Sequence, residues 1–176
     1  MSRLIHLNGL PGIGKSTLAR RYAADHSGVL LCDIDVVRMM ISDWQHTAEA
    51  AERSRIVGLA MATAYLGTGR DVVLPQLVAD PGQLARFAGA ADEAGAAYVH
   101  VMLTADADVV ARRFRARAAA SDDEWTAFAT AHWDAAGGDE ALIGWATRLD
   151  DLPATRLGST DPDTTYAGLL ALLTAG

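Results

Sequence analysis

The sequence predicts an α/β fold, a five-stranded parallel sheet covered by helices on both faces. Two patterns carry that expectation. Short apolar runs alternate with longer stretches of helical periodicity along the whole chain. A glycine-rich turn joins the first apolar run directly to the first helical stretch, the arrangement of a strand feeding a phosphate-binding helix. The size and balance of the chain fit one compact domain over 1–176, with 51% hydrophobic and 21% charged residues.

Leu4-Ile5-His6-Leu7 opens the first strand, read at about 3–7, and further apolar runs place strands at about 29–32, 71–75, 97–103 and 154–158. Helices are expected at about 15–26, 34–43, 48–67, 81–94, 105–119, 122–135, 139–147 and 163–174. Gly67-Thr68-Gly69 stops one helix, and Asp80-Pro81 and Asp161-Pro162-Asp163 start two others, because an acid followed by proline caps a helix and presets its first turn. The segment 118–138, from Ala118 to Gly138, departs from the strand–helix alternation and is read as a candidate lid.

Composition excludes several classes of function. Acidic residues outnumber basic ones 22 to 15, a formal charge of −7, which argues against a broad nucleic-acid footprint. The opening apolar run is too short for a signal peptide or a membrane span. Cys32 stands alone, so there is no internal disulfide and no cysteine-rich metal site, and a cytoplasmic setting is expected. Lys15 is the one lysine beside fourteen arginines, so a compact ammonium is retained at a single position.

That position lies in Gly9-Leu10-Pro11-Gly12-Ile13-Gly14-Lys15-Ser16, which satisfies the phosphate-loop pattern between a strand and a helix. Its glycines let successive N–H groups point at phosphate oxygens, and the following helix adds its positive end. Gly9, Gly12, Ile13, Gly14, Lys15, Ser16 and Thr17 are therefore the expected nucleotide contacts, for ATP with Mg²⁺. Lys15 should reach the β- and γ-phosphates, and Ser16 should offer its hydroxyl to Mg²⁺.

Cys32-Asp33-Ile34-Asp35 puts two carboxylates at the carboxyl end of the second strand, a position read as beside the first strand, where one can orient the metal's water shell and the other accept a hydroxyl proton. A helix cap and a first-turn acid would account for the same residues. Arg113 and Arg117, one helical turn apart, form an expected fork for the charge of a transferring phosphoryl group, with a solvated basic face as the alternative.

The phosphate loop, then Asp33-x-Asp35 and Arg38, resembles the P-loop small-molecule kinases of the shikimate and gluconate kinase type and the chloramphenicol phosphotransferase and zeta-toxin group. This resemblance implies the three-layer P-loop fold, with sheet order 2-3-1-4-5 and a helical lid. It implies transfer of the γ-phosphate of ATP to a small-molecule hydroxyl, with Asp35 as base and Asp33 helping to hold Mg²⁺. Arg113 and Arg117 resemble the lid arginines, and the loop with Ser159 and Thr160 resembles the segment that packs on adenine. One departure is Leu74-Pro75-Gln76-Leu77, where shikimate kinases carry a glycine triplet, so shikimate itself is disfavoured as the acceptor.

On the acceptor side, Arg38, Trp44 and Gln76 are the candidate substrate contacts, Gln76 because ligands of α/β sheets bind at the carboxyl ends of strands. Trp125 and Trp133 either close over the site or anchor the lid. His6, His26, His100 and His132 lack metal-like spacing. Two other functions compete: a nucleotide-hydrolysing switch or regulatory module, which should show a Walker-B strand that is not evident here, and a polynucleotide end kinase, against which the acidic balance argues.

Overall fold

The computed structural model describes residues 1–46 and 48–175. Among them run β1 (Arg3–Asn8), α1 (Lys15–Asp25), β2 (Leu30–Leu31), α2 (Ile34–Met39), α3 (Ala48–Leu66), β3 (Val72–Pro75), α4 (Pro81–Glu93), β4 (Ala97–Thr104), α5 (Ala107–Ala120), α6 (Glu124–Ala135), α7 (Gly138–Asp150), β5 (Thr155–Gly158) and α8 (Pro162–Ala175). The strands form one sheet in the order β2-β3-β1-β4-β5, and every neighbouring pair is parallel.

Burial follows from position in that order. β1 lies between β3 and β4, so Leu4, Ile5, His6 and Leu7 are all inaccessible, as are Val72, Val73 and Leu74 beside them. A strand covered by helices on both faces reads as an unbroken apolar run, and between its ends at Arg3 and Asn8 this one does except at His6. β5 is an edge strand, and its exposed Thr155 and Arg156 have a polarity that an edge tolerates.

The helix starts read from acids are present. Asp80 Oδ1 accepts the Gln83 N–H at 2.8 Å and Asp161 Oδ1 accepts the Thr164 N–H at 2.9 Å; Asp123, not expected as a start, also caps a helix by accepting the Thr126 N–H at 2.8 Å. Four expectations need correcting. The second strand does not adjoin the first: β3 stands between them. β2 has two residues rather than four, because only Leu30 and Leu31 pair with β3. α2 stops at Met39 instead of continuing to 43, and residues 42–46 turn, with Asp43 at φ 59° in the left-handed region. α7 is correspondingly longer than expected, running to Asp150.

Candidate active site

The phosphate loop sits where β1 meets α1, and its shape depends on glycine at two positions. Gly9 has φ 139°, and a Cβ there would lie 2.9 Å from the Leu103 carbonyl oxygen. Gly12 has φ 83°, and a Cβ there would lie 2.9 Å from Phe114 Cβ and 3.0 Å from the Val110 carbonyl oxygen. α5 therefore presses directly on the loop through Phe114, one of the largest fully buried side chains. Gly14 occupies the N-cap of α1 and supplies no side-chain cap, which leaves the helix's first N–H groups facing the concavity.

Lys15 Nζ donates to Gly9 O at 2.8 Å and to Leu10 O at 2.9 Å, so among the described residues its hydrogen-bond partners are carbonyls of its own loop. Burial pushes the ammonium down to about 8, against the attraction of Asp35 and with help from Arg117. A cation held only by neutral carbonyls, under a glycine cradle that a Cβ would fill, suits a polyphosphate.

Asp33 is a helix cap: its Oδ1 accepts the Asp35 N–H at 3.1 Å at the start of α2. The cap and a role at the site coexist, since Asp33 also interacts electrostatically with Lys15 and with Arg20. Asp35, in the first turn of α2, has its carboxyl raised to about 6, by burial first and then by the Asp33 charge, while Lys15, Arg38 and Arg117 pull the other way. A carboxylate in that range can accept a proton near neutral pH. Among the described residues no group of three or more His, Cys, Asp or Glu could hold a metal. A magnesium ion here would rest on Ser16, phosphate oxygens and water, with Asp33 toward its water shell, and an all-oxygen set of this kind fits that cation.

Arg113 and Arg117 do not act as one fork. Arg113 Nη2 donates to Thr160 O at 2.7 Å and its Nη1 to Ser159 O at 3.3 Å, so this guanidinium belongs to the loop after β5. Arg117 is the arginine whose charge acts on both Lys15 and Asp35. Ser159 in turn donates through Oγ to Ile13 O at 2.6 Å, tying that loop to the phosphate loop. A cavity of about 240 Å³ lies between them, lined by Gly14, Thr17, Arg21, Arg113, Ser159 and Thr165 among others.

On the other side, Arg38 is enclosed by aromatic rings, its guanidinium carbon 4.8 Å from the Phe128 centroid and 5.9 Å from those of Trp44 and Trp125. Trp44 and Trp125 are 5.5 Å apart, and Gln45 Nε2 donates to Glu124 Oε1 at 2.6 Å, so α6 is seated on the turn after α2. Trp133 answers the question left open for the two tryptophans: it is buried beside Phe114 and anchors α6, whereas Trp125 faces Arg38. Two buried polar atoms here have no partner, Arg38 Nε and Gln76 Oε1.

The sequence reading overlooked Asn8. It is inaccessible, and its amide joins Gly9, Val78 and His100. The signal was present as polar residues inside apolar strands, but His6 and His100 had been weighed only as metal ligands.

Residues 4–136 match the model of the AAA_33 family, described as an AAA domain. The chain belongs to that family. Its fold is that of P-loop kinases. It superposes on a sugar kinase from a Janibacter species with a TM-score of 0.66 and 14% identity, over 99% of this chain and 95% of that one. A gluconokinase from Sinorhizobium meliloti matches with a TM-score of 0.59 and 16% identity, over 98% of this chain and 94% of that one. A chain from the structure of the Pnkp1/Rnl/Hen1 RNA repair complex matches with a TM-score of 0.68 and 19% identity, over 85% of this chain and 44% of the other. No curated protein matches. Among the described residues no helix is long and apolar enough to cross a membrane.

Proposed function

We propose that the chain is an ATP- and Mg²⁺-dependent kinase that phosphorylates a hydroxyl of a small molecule. The observation that carries this reading is Lys15 held on the Gly9 and Leu10 carbonyls within the glycine cradle, with the charges of Asp35 and Arg117 acting on it. A cradle that only bound nucleotide would have no need of a carboxyl raised to about 6, as that of Asp35 is, and transfer is separated from hydrolysis by the acceptor dependence tested below.

When bound, ATP with Mg²⁺ supplies an activated γ-phosphoryl group and neutralises its charge. Lys15 turns from its loop carbonyls to the phosphates. Asp35 takes the acceptor's hydroxyl proton as the new oxygen–phosphorus bond forms and the bond to ADP breaks, and Arg117 offsets charge on the phosphoryl oxygens. Arg113, Ser159 and Thr160 shape the nucleoside end of the site. Arg38, Trp44 and Gln76 face the acceptor, and the segment 118–138, which carries α6, is the lid within a single domain.

A small acceptor is favoured over a polynucleotide end by the aromatic seal between Trp44, Trp125 and Phe128, and by the exposed acids Asp122, Asp123 and Glu124 at the start of α6. The test is ADP release across hydroxylated metabolites, nucleosides and antibiotics, with a 5′-hydroxyl oligonucleotide as a further arm and each product verified by mass. A phosphorylated small molecule supports the proposal. ADP release that no acceptor stimulates favours the switch, and a phosphorylated oligonucleotide favours the end kinase.

A further inference from the structure

Asn8 is the last residue of β1, and all the hydrogen-bonding capacity of its side chain is used. Oδ1 accepts the Gly9 N–H at 2.8 Å and the Val78 N–H at 3.0 Å, while Nδ2 donates to Val78 O at 2.7 Å and toward His100 Nε2 at 3.1 Å. The amide thus imitates a strand partner for Val78 and at the same time holds the first N–H of the phosphate loop. The backbone groups of Gly9 and Val78 fix its orientation, and His100 braces it: His100 Nδ1 lies 2.8 Å from the Pro153 carbonyl oxygen and donates to it, which leaves Nε2 as an acceptor for the second Asn8 N–H. A reversed amide would point N–H groups at two other N–H groups.

The 76–78 segment is held to β1 at further points. Gln76 N donates to Leu7 O at 3.0 Å. His6 Nε2 lies 2.9 Å from Gln76 O and must donate, so its Nδ1 accepts from the Tyr98 hydroxyl at 2.8 Å. What remains without a partner is Gln76 Oε1.

We propose that Asn8 is a positioning residue that couples the phosphate loop to the loop at 76–78, with His100 as the brace on its amide. The proposal rests on reading the phosphate loop as the nucleotide site and 76–78 as the acceptor side. Any rearrangement of Gly9 on nucleotide binding is then felt at Val78 through one rigid planar group, which sets Gln76 for the acceptor.

Amide hydrogen exchange of the full chain, with and without ADP and Mg²⁺, tests this. In the wild type, nucleotide should slow exchange in peptides covering both 9–16 and 76–80. In Asn8→Ala the first region should still respond, while 76–80 exchanges at least about tenfold faster and no longer responds to nucleotide. His100→Leu, the second variant, keeps the bonds to Gly9 and Val78 and should weaken the response at 76–80 several-fold. A response at 76–80 that is undiminished in either variant overturns the coupling, as does a wild-type response confined to 9–16. No response to nucleotide at 9–16 in the wild type overturns the nucleotide reading together with it, and so separates the two failures.

Discussion

The two halves of the site are built differently. In the phosphate half three of the polar side chains are already engaged: Lys15 on Gly9 and Leu10 carbonyls, Ser159 on Ile13 O, Arg113 on the 159–160 loop. In the proposed acceptor half Arg38 Nε, within an aromatic enclosure, and Gln76 Oε1 are buried without a partner, as are Trp133 Nε1 and Tyr166 Oη elsewhere among the described residues. A buried polar atom without a partner costs free energy on the order of 1–3 kcal/mol, so such atoms mark where a ligand would restore the lost hydrogen bonds. On the proposed function, the difference would separate a general nucleotide cradle from the part that distinguishes one acceptor from another.

Asp35 stands at the junction, and its replacement should give the largest effect. Asp35→Asn retains the shape but removes the basic oxygen, so transfer should fall by about 10²–10⁴-fold with nucleotide affinity nearly unchanged, as measured by single-turnover transfer and by titration of nucleotide. Asp33→Asn should differ in kind, because excess Mg²⁺ can refill a weakened metal site but cannot replace a missing base. If Mg²⁺ rescues Asp35→Asn and not Asp33→Asn, their roles are reversed. Stability should move the other way. A carboxyl raised from 3.8 to about 6 contributes stability below about pH 4 that is lost as pH rises through 6, because the folded state holds the proton longer. The nucleotide-free Asp35→Asn protein should therefore melt a few degrees above wild type at pH 7.5, with the gap closing near pH 4. Equal melting temperatures at both pH values would show that Asp35 is not desolvated.

The arginines give the next largest contrast. Arg117→Ala should lower transfer about 10- to 100-fold, since its charge reaches Lys15 and Asp35. Arg113→Ala should chiefly raise the KM for nucleotide, because its partners are Ser159 and Thr160. The reverse pattern would exchange their assignments. This division was not legible in the sequence. Helical spacing gave the shared face, but the partners that draw Arg113 away lie 46 and 47 positions along the chain. The phosphate loop was legible because backbone conformations that need glycine leave a trace in the residues themselves, as at Gly12. The caps at Asp80 and Asp161 were legible for a similar local reason. β2 was overestimated because Val29 and Cys32 look like strand residues, although only Leu30 and Leu31 pair. Asn8 went unnoticed because its meaning depends on residues 78 and 100.

The pH profile is a milder test of the same junction. For kcat/KM of nucleotide, transfer should rise through about pH 6 as Asp35 loses its proton and fall above about 8 as Lys15 loses its own. In kcat the alkaline limb should move to higher pH, since bound phosphates hold the ammonium charged. An alkaline limb that stays in place at saturating nucleotide would mean that Lys15 does not contact the phosphates.

The smallest expected effect belongs to the roof of the acceptor half. Trp125 is half-buried, its ring centroid 5.9 Å from the Arg38 guanidinium carbon and 5.5 Å from that of Trp44, so it confines the guanidinium without touching the phosphate loop's cavity. A cation–aromatic contact of this kind is worth about 0.5–1 kcal/mol where water still reaches it, rising to about 2 once desolvated. Trp125→Leu keeps an apolar side chain on α6 and removes only the ring. The acceptor KM should therefore rise about 3- to 10-fold, with the nucleotide KM unchanged, as measured with whichever acceptor the product screen yields. Trp133→Leu provides the control, because that ring packs on Phe114, which in turn presses on Gly12. Its loss should lower the melting temperature and loosen the nucleotide side first. If Trp125→Leu instead raises the nucleotide KM, α6 covers the phosphate half, and the division of the site into two differently built halves fails at its edge.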